Sequence, residues 1–384
     1  MHTPTTHTAT PPRLLIAAGG TGGHILPALA VAKALHAAGW QIDWLGNPDS
    51  MEARMIAQHN HQHPDLPITF HRITFSGVRG KGWRRLLRAP FDVLRAVWQV
   101  RDIMQRIKPN VVLGMGGYIA FPAGVASKLC NIPLVIHEQN AIAGQTNYLL
   151  SRIATQTLVA FPHALVDAPR RQVVGNPVRD EVIHLAPPEQ RWADRSENRA
   201  TEPSTVSPLK LLVIGGSLGA AALNETIPRA IALLPDAQRP HITHQAGAKH
   251  LDTLRANYTT AKVEAHCVAF IEDMAHAYSE ADVVICRAGA MTVAELACAG
   301  VASMLVPFPF AVDDHQTNNA RYLSDHGAAW LMPQEGLNPE GLAEWLQLLS
   351  RPLLLDMARK ARALAQPNAT TVIADYIRTF HSQN

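Results

Sequence analysis

Leu14-Leu15-Ile16-Ala17-Ala18, followed by Gly19-Gly20-Thr21-Gly22-Gly23-His24, decides the fold class of this chain. The five apolar residues read as a buried strand, and the Ala/Leu-rich run over 25–38 reads as a helix. Four glycines in the six residues between them let backbone N–H groups crowd around an anion at a helix N-terminus. His24 closes the turn, where it can meet whatever reacts there. The competing reading is a tight strand-to-helix turn with a surface histidine. No Gly-Lys-Ser/Thr follows, so this is not a Walker loop, nor is it G-x-G-x-x-G with an acidic residue at the required distance.

Outward from this turn, strand and helix signals alternate. Strands are expected at 41–45, 68–73, 111–115 and 134–137, with helices at 51–58, 83–107 (broken or restarted at Pro90), 122–129 and 146–153. The second half restarts the opening pattern, with a strand at 210–214, the turn Gly215-Gly216-Ser217-Leu218-Gly219 and a helix over 220–234. A strand at 281–286 then turns through 287–292 into a helix over 293–299. The expected fold is α/β, with two Rossmann-like parallel-sheet domains facing across a cleft and ligands at the C-terminal strand ends. The expected division is a disordered tail at 1–12, a first domain over 13–178, and a second over 179–368. A last helix, about 369–384, crosses back to the first domain. The polar, Ser/Thr/Pro-rich stretch 187–208 reads as a flexible insertion.

The 384 residues are 47% hydrophobic and 17% charged, and the net charge of +3 gives no reason to expect nucleic acid as a partner. Four cysteines without a C-x-x-C pair read as buried thiols in a reducing compartment. The N-terminus has no basic and apolar regions of a signal peptide. The uncharged stretches 111–127 and 296–312 are broken by Gly or Pro and fall short of the ~20 apolar residues of a membrane span. From Arg72 to Lys108 there are ten Lys/Arg and only Asp92 and Asp102 in opposition. Trp83, Leu86, Leu87, Phe91, Leu94, Trp98 and Met104 recur there at helical spacing. That pattern fits a core-facing helix with a solvated basic face, or a basic-aromatic surface for anionic lipid.

Further candidate chemistry sits at strand ends. Gly114-Met115-Gly116-Gly117-Tyr118 is a second glycine turn, and His137-Glu138-Gln139-Asn140 puts four polar residues at the end of a buried strand. Gly215–Gly219 fits the G-x-S-x-G nucleophile elbow of a hydrolase, with Asp313 or Asp314 and His315 downstream, or else a phosphate cradle using Ser217. Thr292 and Glu295 form a T-x-x-E capping box. The functional alternative sets this helix N-terminus against a pyrophosphate and has Glu295 accept from sugar hydroxyls. Asp313–Asn319 reads as a loop over a ligand or a solvated N-cap. There is no H-E-x-x-H and no D-x-D, so no metal is expected, and His59, His61 and His63 read as solvent-facing.

Taken in order, these motifs resemble those of the MurG family of UDP-N-acetylglucosamine-dependent transferases of peptidoglycan synthesis. The resemblance rests on GGTGGH (19–24), FSGVRGKG (75–82), GMGGY (114–118), HEQNAIAG (137–144), VGNPVR (174–179), GGSLGA (215–220), FIEDM (270–274) and CRAGAMTVAEL (286–296). It implies the GT-B fold and inverting transfer of N-acetylglucosamine from UDP-GlcNAc to lipid I, making a β-1,4 link. It implies donor contacts at Arg179, Ser217, Ile271, Ala290, Met291, Thr292, Val293, Ala294, Glu295, His315 and Gln316, with Thr21, Gly22, Gly23 and Asn140 from the first domain. Gly20, Gly116, Gly117 and Tyr118 would hold the acceptor diphosphate. A base must take the acceptor's hydroxyl proton. His24 is the first choice for its imidazole, Glu138 the second. Helix dipoles and Arg179 would replace a cation, and no cofactor is implied. The 72–108 segment becomes a dock on the cytoplasmic face of the membrane, and contact with division and cell-wall machinery is left open. Leu218, Phe121 and His315 depart from the family's usual residues. Other readings are a GT-B enzyme acting on another lipid, a UDP-GlcNAc 2-epimerase, and the hydrolase.

Overall fold

A computed structural model describes residues 11–75, 82–197, 208–216 and 219–381. They fall into two units. The first comprises Met1–Gln139, Ala143–Pro177 and Asn368–Asn384, and the second comprises Asn140–Ile142 and Val178–Pro367.

Unit 1 runs β1 (Arg13–Ala18), α1 (Gly22–Ala37), β2 (Gln41–Gly46), α2 (Met51–Gln62), β3 (Ile68–Arg72), α3 (Gly82–Ile107), β4 (Val111–Gly116), α4 (Ala120–Leu129), β5 (Leu134–Glu138), α5 (Gln145–Leu150), β6 (Gln156–Val159) and β7 (Arg171–Val173). All seven strands pair in parallel, in the order β3-β2-β1-β4-β5-β6-β7. Alternate residues of β1 feed two cores. Leu14 and Ile16 pack with Leu35 and Trp44 on one face, and Leu15 and Ala17 with Ile103 and Met104 on the other. A strand buried on both faces must be apolar throughout, which is why 14–18 carries no polar residue. The strand order reverses between β1 and β4, so the two glycine turns that follow these strands lie at the topological switch point.

Unit 2 runs α6 (Asp180–Ile183), α7 (Pro188–Glu197), β8 (Lys210–Ile214), α8 (Ala221–Ala232), β9 (His241–Gln245), α9 (Leu251–Ala261), β10 (His266–Val268), α10 (Met274–Glu280), β11 (Val283–Cys286), α11 (Ala290–Ala299), β12 (Ala302–Leu305), α12 (His315–Ser324), β13 (Ala329–Leu331), α13 (Pro339–Leu348) and α14 (Arg351–Ala363). Its six parallel strands lie in the order β10-β9-β8-β11-β12-β13, with the reversal between β8 and β11. The chain then enters α15 (Ala369–Arg378), whose Ile373, Ala374 and Ile377 are buried in the unit 1 core beside α1.

Three expectations change. Helix α3 continues through Pro90 instead of breaking there. Pro90 is exposed, so solvent can satisfy the backbone carbonyl that its missing N–H leaves unpaired. The apolar residues of α3 form two stripes, not one. Ala96, Val97, Val100, Ile103 and Met104 are buried, whereas Phe91 is 74% exposed, Leu94 54% and Trp98 50%. The core-facing reading therefore fails for those three. Finally, the first half of the supposed flexible insertion is helix α7. It is tied down by buried Arg191, whose Nη2 donates to the Gly300 carbonyl at 2.7 Å, and by Trp192 packed on the unit 2 core. Residues 198–207 lie outside the described residues.

Candidate active site

In unit 1, Thr21 is the N-cap of α1 in extended conformation, without a side-chain capping bond. Helix α1 therefore begins at Gly22, three residues earlier than the apolar run indicates. The first-turn amides of Gly22 and Gly23 lack intrahelical partners by geometry, and no acidic residue occupies that turn. Gly117 approaches the Gly19 carbonyl so closely that no side chain fits, which joins the turn after β4 to the turn after β1. A Cβ on Gly116 would lie 3.3 Å from Cε1 of His24, so the imidazole is seated over that glycine. His24 itself is half-buried.

Glu52 of α2, fully buried, organises this pair of turns, and nothing in the sequence reading singled it out. It accepts from Gly20 N at 3.3 Å, from Asn47 N at 3.4 Å and from the Tyr118 hydroxyl at 2.5 Å. Burial first, then this carboxylate, push the Tyr118 phenol well above its ordinary pKa. Gly20 N and the Tyr118 hydroxyl are thus engaged with a carboxylate. Because they already donate to Glu52, they are poor donors for the diphosphate they were expected to hold. Gly116 and Gly117 remain at the switch point.

The polar end of β5 is a connected network. His137 Nε2 lies 2.9 Å from the Gly175 carbonyl oxygen, and its Nδ1 lies 2.9 Å from Gln139 Nε2. Gln139 Oε1 lies 3.0 Å from His24 Nδ1. Burial lowers the His137 pKa to about 4, so this ring is neutral near pH 7. Glu138 is only 2% exposed, and its Oε2 accepts from Asn147 Nδ2 at 2.9 Å and Gly144 N at 3.2 Å. These bonds make it an organiser of the loop after β5. His24, half-buried at the turn after β1, is more open to an acceptor than the buried Glu138.

In unit 2, Arg179 Nη2 and Nε both donate to Glu295 Oε1, at 2.8 and 3.2 Å, while the buried Tyr278 hydroxyl donates to Oε2 at 3.1 Å. The capping-box reading fails. Gly289, not a side chain, is the N-cap of α11, which places Thr292 and Glu295 inside the helix. Glu295 is 7% exposed, with both oxygens engaged, so its first task is to hold Arg179 rather than to accept from a sugar. The first turn of α11 holds Ala290, Met291 and Thr292 and no acidic residue. Val293 is fully buried and Ala294 follows it within the helix, so backbone and dipole are what this segment offers a ligand.

Asn140 Oδ1 accepts from Asn319 Nδ2 at 3.2 Å, and Asn319 Oδ1 accepts from Ala141 N at 2.8 Å. Of the two readings of 313–319, the solvated N-cap holds at Asp314, which is exposed and is the N-cap of α12. His315 is its first residue, with left-handed Asp313 and Asp314 before it, and Gln316 Oε1 accepts from Phe308 N at 2.8 Å. Ile271 lies half-buried between β10 and α10. Ser217 and Leu218 lie outside the described residues. Among the described residues no group of three or more His, Cys, Asp or Glu gathers as a metal site.

Residues 14–159 match the N-terminal domain of glycosyltransferase family 28, and residues 210–375 match its C-terminal domain. The chain is 54% identical over 365 residues to a UDP-N-acetylglucosamine–N-acetylmuramyl-(pentapeptide) pyrophosphoryl-undecaprenol N-acetylglucosamine transferase from Cupriavidus necator, covering 95% of this chain and 97% of that protein. This chain belongs to the MurG family, within glycosyltransferase family 28. A relative of the same name from Ralstonia nicotianae is 53% identical, over 95% of each chain. The crystal structure of Acinetobacter baumannii MurG superposes with a TM-score of 0.81 at 42% identity, covering 96% of this chain and all of that one. The chain is therefore an α/β glycosyltransferase of GT-B type. Beyond the motifs, the structure adds Glu52, Asn147, Tyr278 and Asn319. Glu52, Asn147 and Tyr278 lie in helical stretches with no local motif to mark them, whereas Asn319 ends the polar run 313–319.

Proposed function

We propose that this chain transfers N-acetylglucosamine from UDP-N-acetylglucosamine to the C4 hydroxyl of undecaprenyl-pyrophosphoryl-N-acetylmuramyl-pentapeptide, with inversion at the anomeric carbon. The observation that carries this reading is the near-full-length likeness to transferases of that name. The chemistry follows from the side chains. His24 Nε2 takes the acceptor's hydroxyl proton as that oxygen bonds to the anomeric carbon. The bond from this carbon to the β-phosphate oxygen breaks, and the electron pair leaves with UDP. The growing charge on UDP is met by the first-turn amides of α11 and by Arg179, held in place by Glu295. The amides of Thr21, Gly22 and Gly23 supply a second anion cradle at α1. Because fixed dipoles and a guanidinium do this work, turnover is expected to persist in EDTA.

The acceptor is a lipid, and exposed Phe91, Leu94 and Trp98 on α3, with Arg101 stacked 5.1 Å over Trp98, supply an apolar and basic surface for the membrane face. No helix among the described residues is long and apolar enough to cross a membrane. Phosphatidylglycerol-containing vesicles are expected to bind the chain, and Trp98→Ala to weaken that binding several-fold. Equal binding to phosphatidylcholine vesicles alone contradicts the basic contribution. The function is tested with radiolabelled UDP-N-acetylglucosamine and a lipid I analogue in EDTA. Label in the lipid phase supports the proposal. UDP and free N-acetylmannosamine instead support an epimerase.

A further inference from the structure

A backbone carbonyl only accepts hydrogen bonds, so whatever faces it must donate. The Gly175 carbonyl, 2.9 Å from His137 Nε2, therefore fixes the proton of that imidazole on Nε2. With the buried ring neutral, Nδ1 is an acceptor, and the Gln139 amide nitrogen 2.9 Å away is its donor. The same amide nitrogen lies 3.0 Å from the His137 carbonyl oxygen, a second acceptor that demands the same orientation. The amide of Gln139 is thus turned so that Oε1 faces His24 Nδ1 at 3.0 Å. An amide oxygen also only accepts, so Nδ1 of His24 must carry a proton.

We propose that Gln139, oriented by His137 and the Gly175 carbonyl, is a positioning residue that holds neutral His24 as its Nδ1–H tautomer, leaving Nε2 as the basic nitrogen that receives the acceptor's proton. In water a neutral histidine side chain favours the opposite tautomer, with the proton on Nε2. That tautomer presents a proton where the transfer needs a lone pair. The arrangement also serves the step after proton transfer. When Nε2 gains its proton the ring is a cation, and Oε1 still accepts from Nδ1, so nothing need rearrange. No proton passes through Gln139, so its role is orientation.

The supporting shell explains residues that the reaction scheme leaves idle. Gln139 is 1% exposed, and Asn176 Nδ2 donates to its backbone carbonyl at 3.0 Å. Asn147 Nδ2 donates to the His137 carbonyl at 3.1 Å. Gly175 has a left-handed φ of 85°, which presents its carbonyl to His137 from a turn that a side chain would strain. The chain of direction runs from that carbonyl to His24 without a break.

The inference rests on His24 acting as the base, and the test separates the two. The ring nitrogens of the full-length protein, labelled with 15N-histidine, are read by NMR above the His24 titration, with the His24 signals assigned by their loss in His24→Ala. The expected spectrum has a protonated Nδ1 and a bare Nε2 at His24. In Gln139→Leu the signals move toward the Nε2–H form. That variant is expected to lose about tenfold in kcat with an unchanged KM for UDP-N-acetylglucosamine, the loss expected when one orienting hydrogen bond is removed. A parent His24 found as Nε2–H overturns the proposal, as does a folded Gln139→Leu with parental kcat. If that variant fails to fold, the parent spectrum decides by itself. A His24→Ala chain that transfers at the parental rate overturns the base assignment, and with it the catalytic meaning of the tautomer, whatever the spectrum shows.

Discussion

Among the described residues each unit buries one histidine on a strand, neutral near pH 7, and the two are put to different uses. In unit 2, His244 on β9 is fully buried, with Nδ1 3.0 Å from the Tyr258 hydroxyl and Nε2 3.0 Å from Asn224 Oδ1. Both partners come from helices packed on the same core, and burial lowers the His244 pKa to about 3. In unit 1, His137 at the end of β5 is equally buried, but its bonds lead through Gln139 to a half-buried imidazole at the switch point. A perturbed pKa therefore does not by itself mark a functional histidine. What distinguishes His137 is that its hydrogen bonds end on a group able to meet substrate.

The largest effect is expected at that end point. His24→Ala should lower kcat by about 10²–10⁴-fold, the range for loss of a general base, while UDP-N-acetylglucosamine binding measured by calorimetry stays within about twofold. The next contrast is between the buried pair. His137→Leu should lower kcat about tenfold through loss of the Gln139 orientation, whereas His244→Leu should leave kcat per folded molecule unchanged. Equal losses of kcat in the two variants would erase the distinction drawn here. Both variants leave former partners unpaired in the core, so both should unfold at lower urea, by about 1–3 kcal/mol.

The smallest effect is one the two histidines share. Each has a folded pKa below the ordinary value of about 6.5, so the unfolded chain takes up the proton first and acid favours unfolding. The stability conferred by keeping these rings neutral is complete above pH 6.5. It declines as pH falls toward about 4 for His137 and about 3 for His244. Between pH 7 and pH 5 the loss is about 2 kcal/mol for each ring. Thermal melts at these two pH values should show it, and either His→Leu variant should flatten the dependence.

Much of this was legible in the residues. The apolar run before Gly19 and its counterpart before Gly215 fixed the two parallel sheets, because a strand buried on both faces must be uniformly apolar. The glycines marked the switch points, because only backbone without side chains allows turns as close as Gly117 against Gly19. The errors have equally physical causes. Helical spacing on α3 reveals apolar residues but not which stripe the sheet covers, so spacing alone leaves Phe91, Leu94 and Trp98 open between core and lipid-facing surface, and their exposure removes the core reading. The T-x-x-E pattern at Thr292 and Glu295 was a sound local signal overridden by Gly289, which starts α11 earlier. Glu52 lay hidden because a single glutamate in a helical stretch looks solvated until its partners arrive from Gly20, Asn47 and Tyr118.

The central claim is that the proton leaves to His24, and the pH dependence of kcat/KM for the lipid acceptor tests it most directly. The parent should show an acid limb, falling about tenfold per pH unit as the base becomes protonated. His24→Ala should transfer slowly and without that limb. An acid limb of the same midpoint in His24→Ala would place the base elsewhere and contradict this account.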